Sequence, residues 1–400
     1  MSNLEEQISI WLEHVRYLSQ EIGPRGPTTE AEQRGAQYCS QILQELGYHV
    51  EIDRFQSARS IFLPHLYTAI ALLVAFIVYP LAGRISAFIA FLIALIALIS
   101  DVLELSFRNN LWRMLVPKGK SQNVLAKLEP AVNHRRDLIL IGHVDSQRTP
   151  LIFKNKRWLS VYQTFTTAAF IAFVAQVILY GIGAFTQWHW IWPLSGVSAV
   201  AALLLAAMCL QADRTPFTHG ANDNASAVGL VLALARRFKA EPLQETRLWF
   251  VCTGCEEVQH YGAIDFFRRH RGEFKNPHAL VFEMLGCAGP AWLTREGIVI
   301  PFHADKFMRS LAEEVSQEHP ELKAYPTRIT GGNTEMADAL RVGIPAITIM
   351  GLGEKGEAPY WHMREDTFDK MDSEVMSRCY EFVWHFIHAL DSSRLKSMSG

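Results

Sequence analysis

The chain has 400 residues, enough for one large or two modest domains. Its formal net charge of -2 and the lack of a long basic run exclude nucleic acid as an expected partner. Hydrophobic residues reach 50% against 20% charged, and the apolar excess falls in two blocks, 61–104 and 160–211, so the chain is not an ordinary soluble protein throughout.

Six cysteines (Cys39, Cys209, Cys252, Cys255, Cys287, Cys379) are too few for a disulfide framework at this length, and a reducing compartment is expected. The first residues are acidic and amphipathic and lack the basic start and apolar core of a signal peptide, so membrane targeting rests on internal segments.

Helical spacing over 5–21 and 29–46 is broken by "GPRGP", and "YHVEIDRF" then alternates as a strand. The first apolar block holds two runs flanking Gly83-Arg84, each near the roughly 20 residues that cross a bilayer core, and a transmembrane helical hairpin is expected. "SQNVLAKLEP" and "RDLILIGHVDS" read as consecutive strands. The second block gives another hairpin, joined at "TQWHW", whose tryptophans suit a membrane interface. From 212 onward apolar strands alternate with helices, ending in a helix over 372–392.

The predicted class is therefore α/β, with a largely buried sheet and two inserted transmembrane hairpins. The soluble pieces 1–60, 107–158 and 212–400 assemble one domain, interrupted by hairpins at 61–106 and 159–211. Basic residues crowd the soluble flanks, whereas the hairpin tips carry only Arg84, which places the soluble parts in the cytoplasm. The bilayer is thus an expected partner. No oligomeric state follows from the sequence.

The pair Glu256-Glu257 follows an apolar strand, where two adjacent carboxylates repel unless positive charge is near. Other metal-type side chains stand at strand ends or in loops: His143 and Asp145 in "GHVDS", Asp223 in "HGANDNASAVG", Glu283 in "VFEMLG", and His362 with Asp366 and Asp369 in "YWHMREDTFD". Open α/β sheets place their ligand sites at carboxyl ends of strands. Imidazole with carboxylate suits zinc, and a shared carboxylate bridges two metals. In that setting one glutamate binds metal and its neighbour handles a proton. Singly, each piece has a plainer reading: a surface turn for His-x-Asp, a helix cap for Asp223, a solvated face for the glutamates, an arginine-paired acid for Glu283, and an interfacial histidine beside Trp361 for His362.

The order of these motifs, with Gly-Gly before "GIPAITI" and Asp-Thr-x-Asp after His362, resembles the zinc-dependent aminopeptidases of metallopeptidase family 28. Relatives include leucyl aminopeptidases, glutamate carboxypeptidases and, with one zinc, glutaminyl cyclases. The resemblance implies a peptide substrate and a zinc exopeptidase fold, a mainly parallel twisted sheet with helices on both faces. It implies two zinc ions, or one. His143 and Glu283 would ligate one, Glu257 and His362 the other, and Asp223 would bridge them. Asp145 would orient the His143 imidazole and Glu256 would be the general base. Three departures stand out: Glu283 replaces the usual aspartate, Gln259 replaces a glycine two residues after the glutamate pair, and Asp223 lies about eighty residues past His143 because the second hairpin intervenes. Two further outcomes remain at this point: another enzyme, a single-zinc aminoacyl cyclase or amidase, and a non-enzyme, a membrane receptor or scaffold that has retired the fold from catalysis. Cys252-x-x-Cys255 lacks the second pair that a redox or structural-zinc site would need, and Glu335 and Asp338 stand as candidates to support the site without ligating.

Overall fold

The computed structural model of the chain describes residues 3–393, so residues 1–2 and 394–400 of the first and third soluble pieces lie outside the described residues. The chain forms two compact units. The first comprises Met1–Ser57, Gly119–Gln147 and Phe217–Gly400, and the second Ala58–Lys118 and Arg148–Pro216.

In the first unit, helices α1 (Asn3–Arg16) and α2 (Glu30–Glu45) lead into strand β1 (Val50–Ala58). Thr29 caps α2 by accepting the Glu32 amide, and Gly47 (φ 78) ends the turn after it in a backbone region that glycine enters without strain. β2 (Lys118–Leu128) and β3 (Arg136–His143) are the two strands expected around the second soluble piece. They are not sheet neighbours. β4 (Thr246–Thr253) runs between them, antiparallel to β2 and parallel to β3. β5 (His278–Glu283), β6 (Ala291–Glu296), β7 (Phe302–His303), β8 (Tyr325–Arg328) and β9 (Ala346–Met350) complete the nine-stranded sheet, in the order β1-β2-β4-β3-β5-β9-β6-β7 with β8 on β6.

Strands β4, β3, β5 and β9 are mutually parallel and form the middle of the sheet. β3 and β5 are buried along their whole length, which is why they read as continuous apolar runs rather than alternating ones. The expected α/β class holds, with antiparallel and short strands added toward the edges. β6, β7 and β8 are not legible as strands in the sequence because they are brief or interrupted. Helix α8 (Ser226–Ala240) packs on β3, β4 and β5, with α1 against it. α9 (Tyr261–His270) and α11 (Met336–Arg341) pack on each other, and α11 contacts β5 and β9. α10 (Lys306–Glu318) and α12 (Ser373–Ser392) pack on each other. Because β3, β4 and β5 share one direction, His143, the Thr253–Glu257 segment and Glu283 all emerge at one edge of the sheet.

The second unit holds α3 (Phe62–Val78), α4 (Gly83–Leu105), α5 (Leu111–Leu115), α6 (Lys156–Thr186) and α7 (Ile191–Asp213). The four longer helices pack in a closed ring, α3 on α4, α4 on α6, α6 on α7 and α7 on α3. Ala87, Ala90, Ala94 and Ala97 of α4 are buried in the shared core, a small-residue stripe that lets helix backbones approach. Ile77, Ile85, Ile96, Ile171, Val197 and Leu203 point outward and are exposed, an apolar exterior that water does not favour. Among the described residues three helices, α4, α6 and α7, are long and apolar enough to cross a membrane. α3 is apolar but has 17 residues, about 26 Å at 1.5 Å per residue, because the chain turns at Tyr79-Pro80.

Candidate metal centre

His143 ends β3 with its ring buried. Its Nδ1 lies 3.0 Å from the backbone oxygen of Asp145 and 3.5 Å from that residue's Oδ1. A carbonyl oxygen only accepts, so Nδ1 carries the proton and Nε2 turns toward three carboxylates: Asp223 Oδ1 at 3.4 Å, Glu283 Oε2 at 3.6 Å and Glu256 Oε2 at 3.7 Å.

Asp223 sits in the small-residue loop before α8. The amides of Asn222 and Asp223 donate to the two oxygens of Asp366, at 2.6 and 3.0 Å, which fixes the loop and aims the Asp223 carboxylate outward. Its Oδ1 faces His143 and its Oδ2 lies 3.4 Å from His362 Nε2. His362 Nε2 is also 3.2 Å from Glu257 Oε2. Glu257 is held in turn by Gln147 Nε2, which donates to its Oε2 and its backbone oxygen at 3.0 Å each.

The Glu256-Glu257 bend depends on Asp145. Its Oδ1 accepts the Glu256 amide at 3.0 Å and its Oδ2 the Glu257 amide at 3.1 Å. Asp145 therefore clamps the glutamate pair as well as abutting His143. Glu283 reaches the cluster despite its extra methylene. Its Oε2 accepts from Asn224 Nδ2 at 2.8 Å, and its partners are this amide and His143 rather than an arginine.

The seven predicted site residues thus converge. Among the described residues three groups have donor atoms within 4.8 Å of one another: His143, Asp223 and Glu283; Asp223, Glu257 and His362; and His143, Glu256 and Glu257. Asp223 belongs to the first two, one oxygen to each. Asp369 stands apart, paired with Lys370, and Asp366 supports the Asp223 loop.

Packing these carboxylates together in a buried place raises their proton affinity. Burial pushes the Glu257 carboxyl up to about 8 and that of Glu283 to about 7, against the pull of the nearby histidines. Asp223 goes the other way. Burial would raise it, but hydrogen bonds from His143 and His362 hold it well below the usual carboxylate range. Burial disfavours charge on His362, yet Glu257 and Asp223 outweigh that and raise it to about 10. Burial thus favours the protonated form of Glu257 and Glu283, while the carboxylates facing His143 and His362 favour charge on the imidazoles. Glu257 Oε1 is buried without a hydrogen-bond partner. An orphaned carboxylate oxygen beside His362 and Asp223 is the donor set that a divalent cation satisfies.

Several supports are invisible in the sequence. Arg25 is fully buried and donates to the backbone oxygens of Val144, His219 and Gly220, tying the segments that bear His143 and Asp223. Glu32 accepts from the Cys255 amide at 2.9 Å and Ser121 Oγ at 2.9 Å, and burial pushes it up to about 8. Cys252 and Cys255 are buried free thiols, with Cys255 Sγ against Glu32. Gln259 lies at φ 85, the left-handed region that explains why a glycine suits this position. His260 follows at φ 56 and contacts Glu256. A histidine three residues after the pair gave the only signal of it.

Residues 207–387 match the description peptidase family M28. That stretch of the chain is similar to the M28 peptidases. The resemblance read from the motifs is thereby borne out, and the matched residues contain Asp223, Glu256, Glu257, Glu283 and His362. Among solved structures, the zinc aminopeptidase BSAP from Bacillus subtilis is 13% identical, with a TM-score of 0.57 over 97% of this chain and 96% of that one. Glutaminyl cyclase from Tannerella forsythia is 15% identical, TM-score 0.55, over 96% and 98%. An aminopeptidase from Aneurinibacillus sp. strain AM-1 is 15% identical, TM-score 0.56, over 95% and 93%. At these identities the likeness is one of fold. No curated protein sequence matches the chain.

Proposed function

We propose that the protein is a membrane-anchored, zinc-dependent aminopeptidase. The observation that carries this reading is Asp223, whose two oxygens face two histidine-bearing donor groups, with Glu256 beside them. His143, Asp223 and Glu283 would hold one zinc and Asp223, Glu257 and His362 the other. Zinc bound there supplies Lewis acidity toward a carbonyl oxygen and toward water.

The chain's own groups do the rest. The Asp145 clamp fixes both glutamates against the cluster. Glu256 takes a proton from the attacking water and returns it to the leaving amine. Glu256 is suited to this because, although burial opposes its charge, His143 and His260 hold its carboxyl below the usual range, so it starts as a carboxylate. The Glu256→Gln variant should lose turnover by at least about 100-fold while keeping its zinc content, read by metal analysis alongside hydrolysis of aminoacyl substrates. Retained activity would reject Glu256 as the base.

A second reading is a single-zinc aminoacyl cyclase or amidase. It is favoured by Glu283, which is one methylene longer than the aspartate usual at this position and so alters the first donor group. One tightly held zinc, with activity on N-terminal glutaminyl rather than general aminoacyl substrates, would select it. The hairpin unit serves as an insertion that anchors the enzyme, with the soluble pieces on the cytoplasmic side and peptide as substrate.

A further inference from the structure

His260 is buried, and each of its ring nitrogens faces a carboxylate. Nε2 lies 3.0 Å from Glu256 Oε1, and Nδ1 lies 2.6 Å from Asp338 Oδ2. Asp338 is also buried, and Arg341 Nη1 approaches its other oxygen at 3.3 Å. The geometry is built from two distant segments. On one side the amides of Gln259 and His260 both donate to the backbone oxygen of Glu256, at 3.0 and 2.8 Å, and the turn folds the ring back onto the glutamate. On the other, α11 carries Asp338 and Arg341 one turn apart and packs against α9.

The consequence lies in how the two oxygens of Glu256 are divided. Oε1 is engaged by His260, while Oε2 faces His143 and the donor cluster. A glutamate side chain at a strand-to-loop bend has three rotatable bonds, and as a free arm it would swing onto a cation beside it. We propose that His260, locked by Asp338, is a positioning residue that anchors Glu256 through Oε1 and leaves Oε2 as the one oxygen that exchanges the proton. The inference rests on Glu256 acting as the base and deepens that reading. It gives the chain a Glu-His-Asp line running away from the donor cluster, and explains why a bulky ring occupies a left-handed position. Burial opposes charge on the ring, but Asp338 and Glu256 outweigh it and hold the imidazole well above its ordinary value, in keeping with donation from both nitrogens.

The test uses the full-length protein in detergent, with His260→Leu, His260→Gln and Asp338→Asn. Glutamine can place an amide donor near the position of Nε2, whereas leucine cannot. His260→Leu should lower kcat by about 10- to 100-fold, the worth of one charge-assisted hydrogen bond, with KM and zinc content within about twofold of wild type. His260→Gln should recover most of that loss, and Asp338→Asn should fall between. An unchanged kcat in His260→Leu, or a His260→Gln variant as impaired as leucine, would overturn the proposal. A second readout does not depend on turnover. In metal-free protein labelled with ¹⁵N-histidine, the His260 Nε2–H resonance should move in Glu256→Gln and the Nδ1–H resonance in Asp338→Asn. Resonances indifferent to both changes would overturn it too. Resonances that move as expected in a protein inactive on every aminoacyl or glutaminyl substrate would sink the proposed function and leave the anchoring contact standing.

Discussion

Asp145 holds the amides of Glu256 and Glu257 with its two oxygens while its own carbonyl fixes the His143 tautomer. One residue thus orients a histidine on one strand and two glutamates after another. Asp145→Asn presents an amide NH₂ to a backbone N–H that needs an acceptor, so one clamp becomes a repulsion. Zinc affinity should fall by about 10- to 100-fold, the usual cost of losing such a support, measured by chelator competition. Wild-type affinity would show that the bend holds itself. At this scale the sequence was informative wherever a residue type announces its chemistry. His143, Asp223, Glu256, Glu257, Glu283 and His362 were legible as metal-type side chains at strand ends, and they converge. His260 was not, because its partner Asp338 lies on another helix and nothing local pairs them. Arg25 was hidden for a similar reason: its acceptors are backbone oxygens, and any residue supplies those.

Between elements, the register of β3 with β4 decides whether His143 and the glutamate bend meet. His143 pairs with Thr253, three residues before Glu256. The far end of that strand pair is tied by Asp137, which is buried and accepts from Arg247, from Trp249 Nε1 and from the Lys275 amide. Burial alone would raise the Asp137 carboxyl, but the Arg247 guanidinium and these donors hold it below its ordinary value. A group depressed in the folded state contributes stability above its unfolded pKa of about 3.9 and loses it as pH falls through the lower folded value. Asp137→Asn should therefore be less stable than wild type at neutral pH, with the gap closing below about pH 4, in denaturant melts taken across pH. A gap that persists undiminished at low pH would mean that Asp137 acts by shape alone. The central strands were legible because a strand buried on both sides reads as an apolar run. β6 to β8 were not, since such brief strands lack that run, and the insertion of β4 between β2 and β3 is a matter of topology that local pattern does not encode.

For the whole chain, the division into two units traces to composition. The second unit has an apolar exterior and a core of alanine and aromatic side chains, whereas the first unit has an ordinary buried sheet. The hairpins were legible from hydropathy, but the unequal length of α3 was not, because its end is set by the Tyr79-Pro80 turn. With soluble pieces rich in Lys and Arg beside the spans and Arg84 alone at the tips, reporter fusions at residues 82 and 188 should both report the non-cytoplasmic side. A cytoplasmic reporter at 82 would mean that α3 and α4 do not cross the bilayer. The donor groups themselves are tested most directly by anomalous diffraction at the zinc edge from crystals of the zinc-loaded, full-length protein. Two peaks are expected on either side of Asp223, one against His143 and Glu283 and the other against Glu257 and His362. The absence of any peak within coordinating reach of Asp223 would contradict the metal centre and the peptidase chemistry built on it.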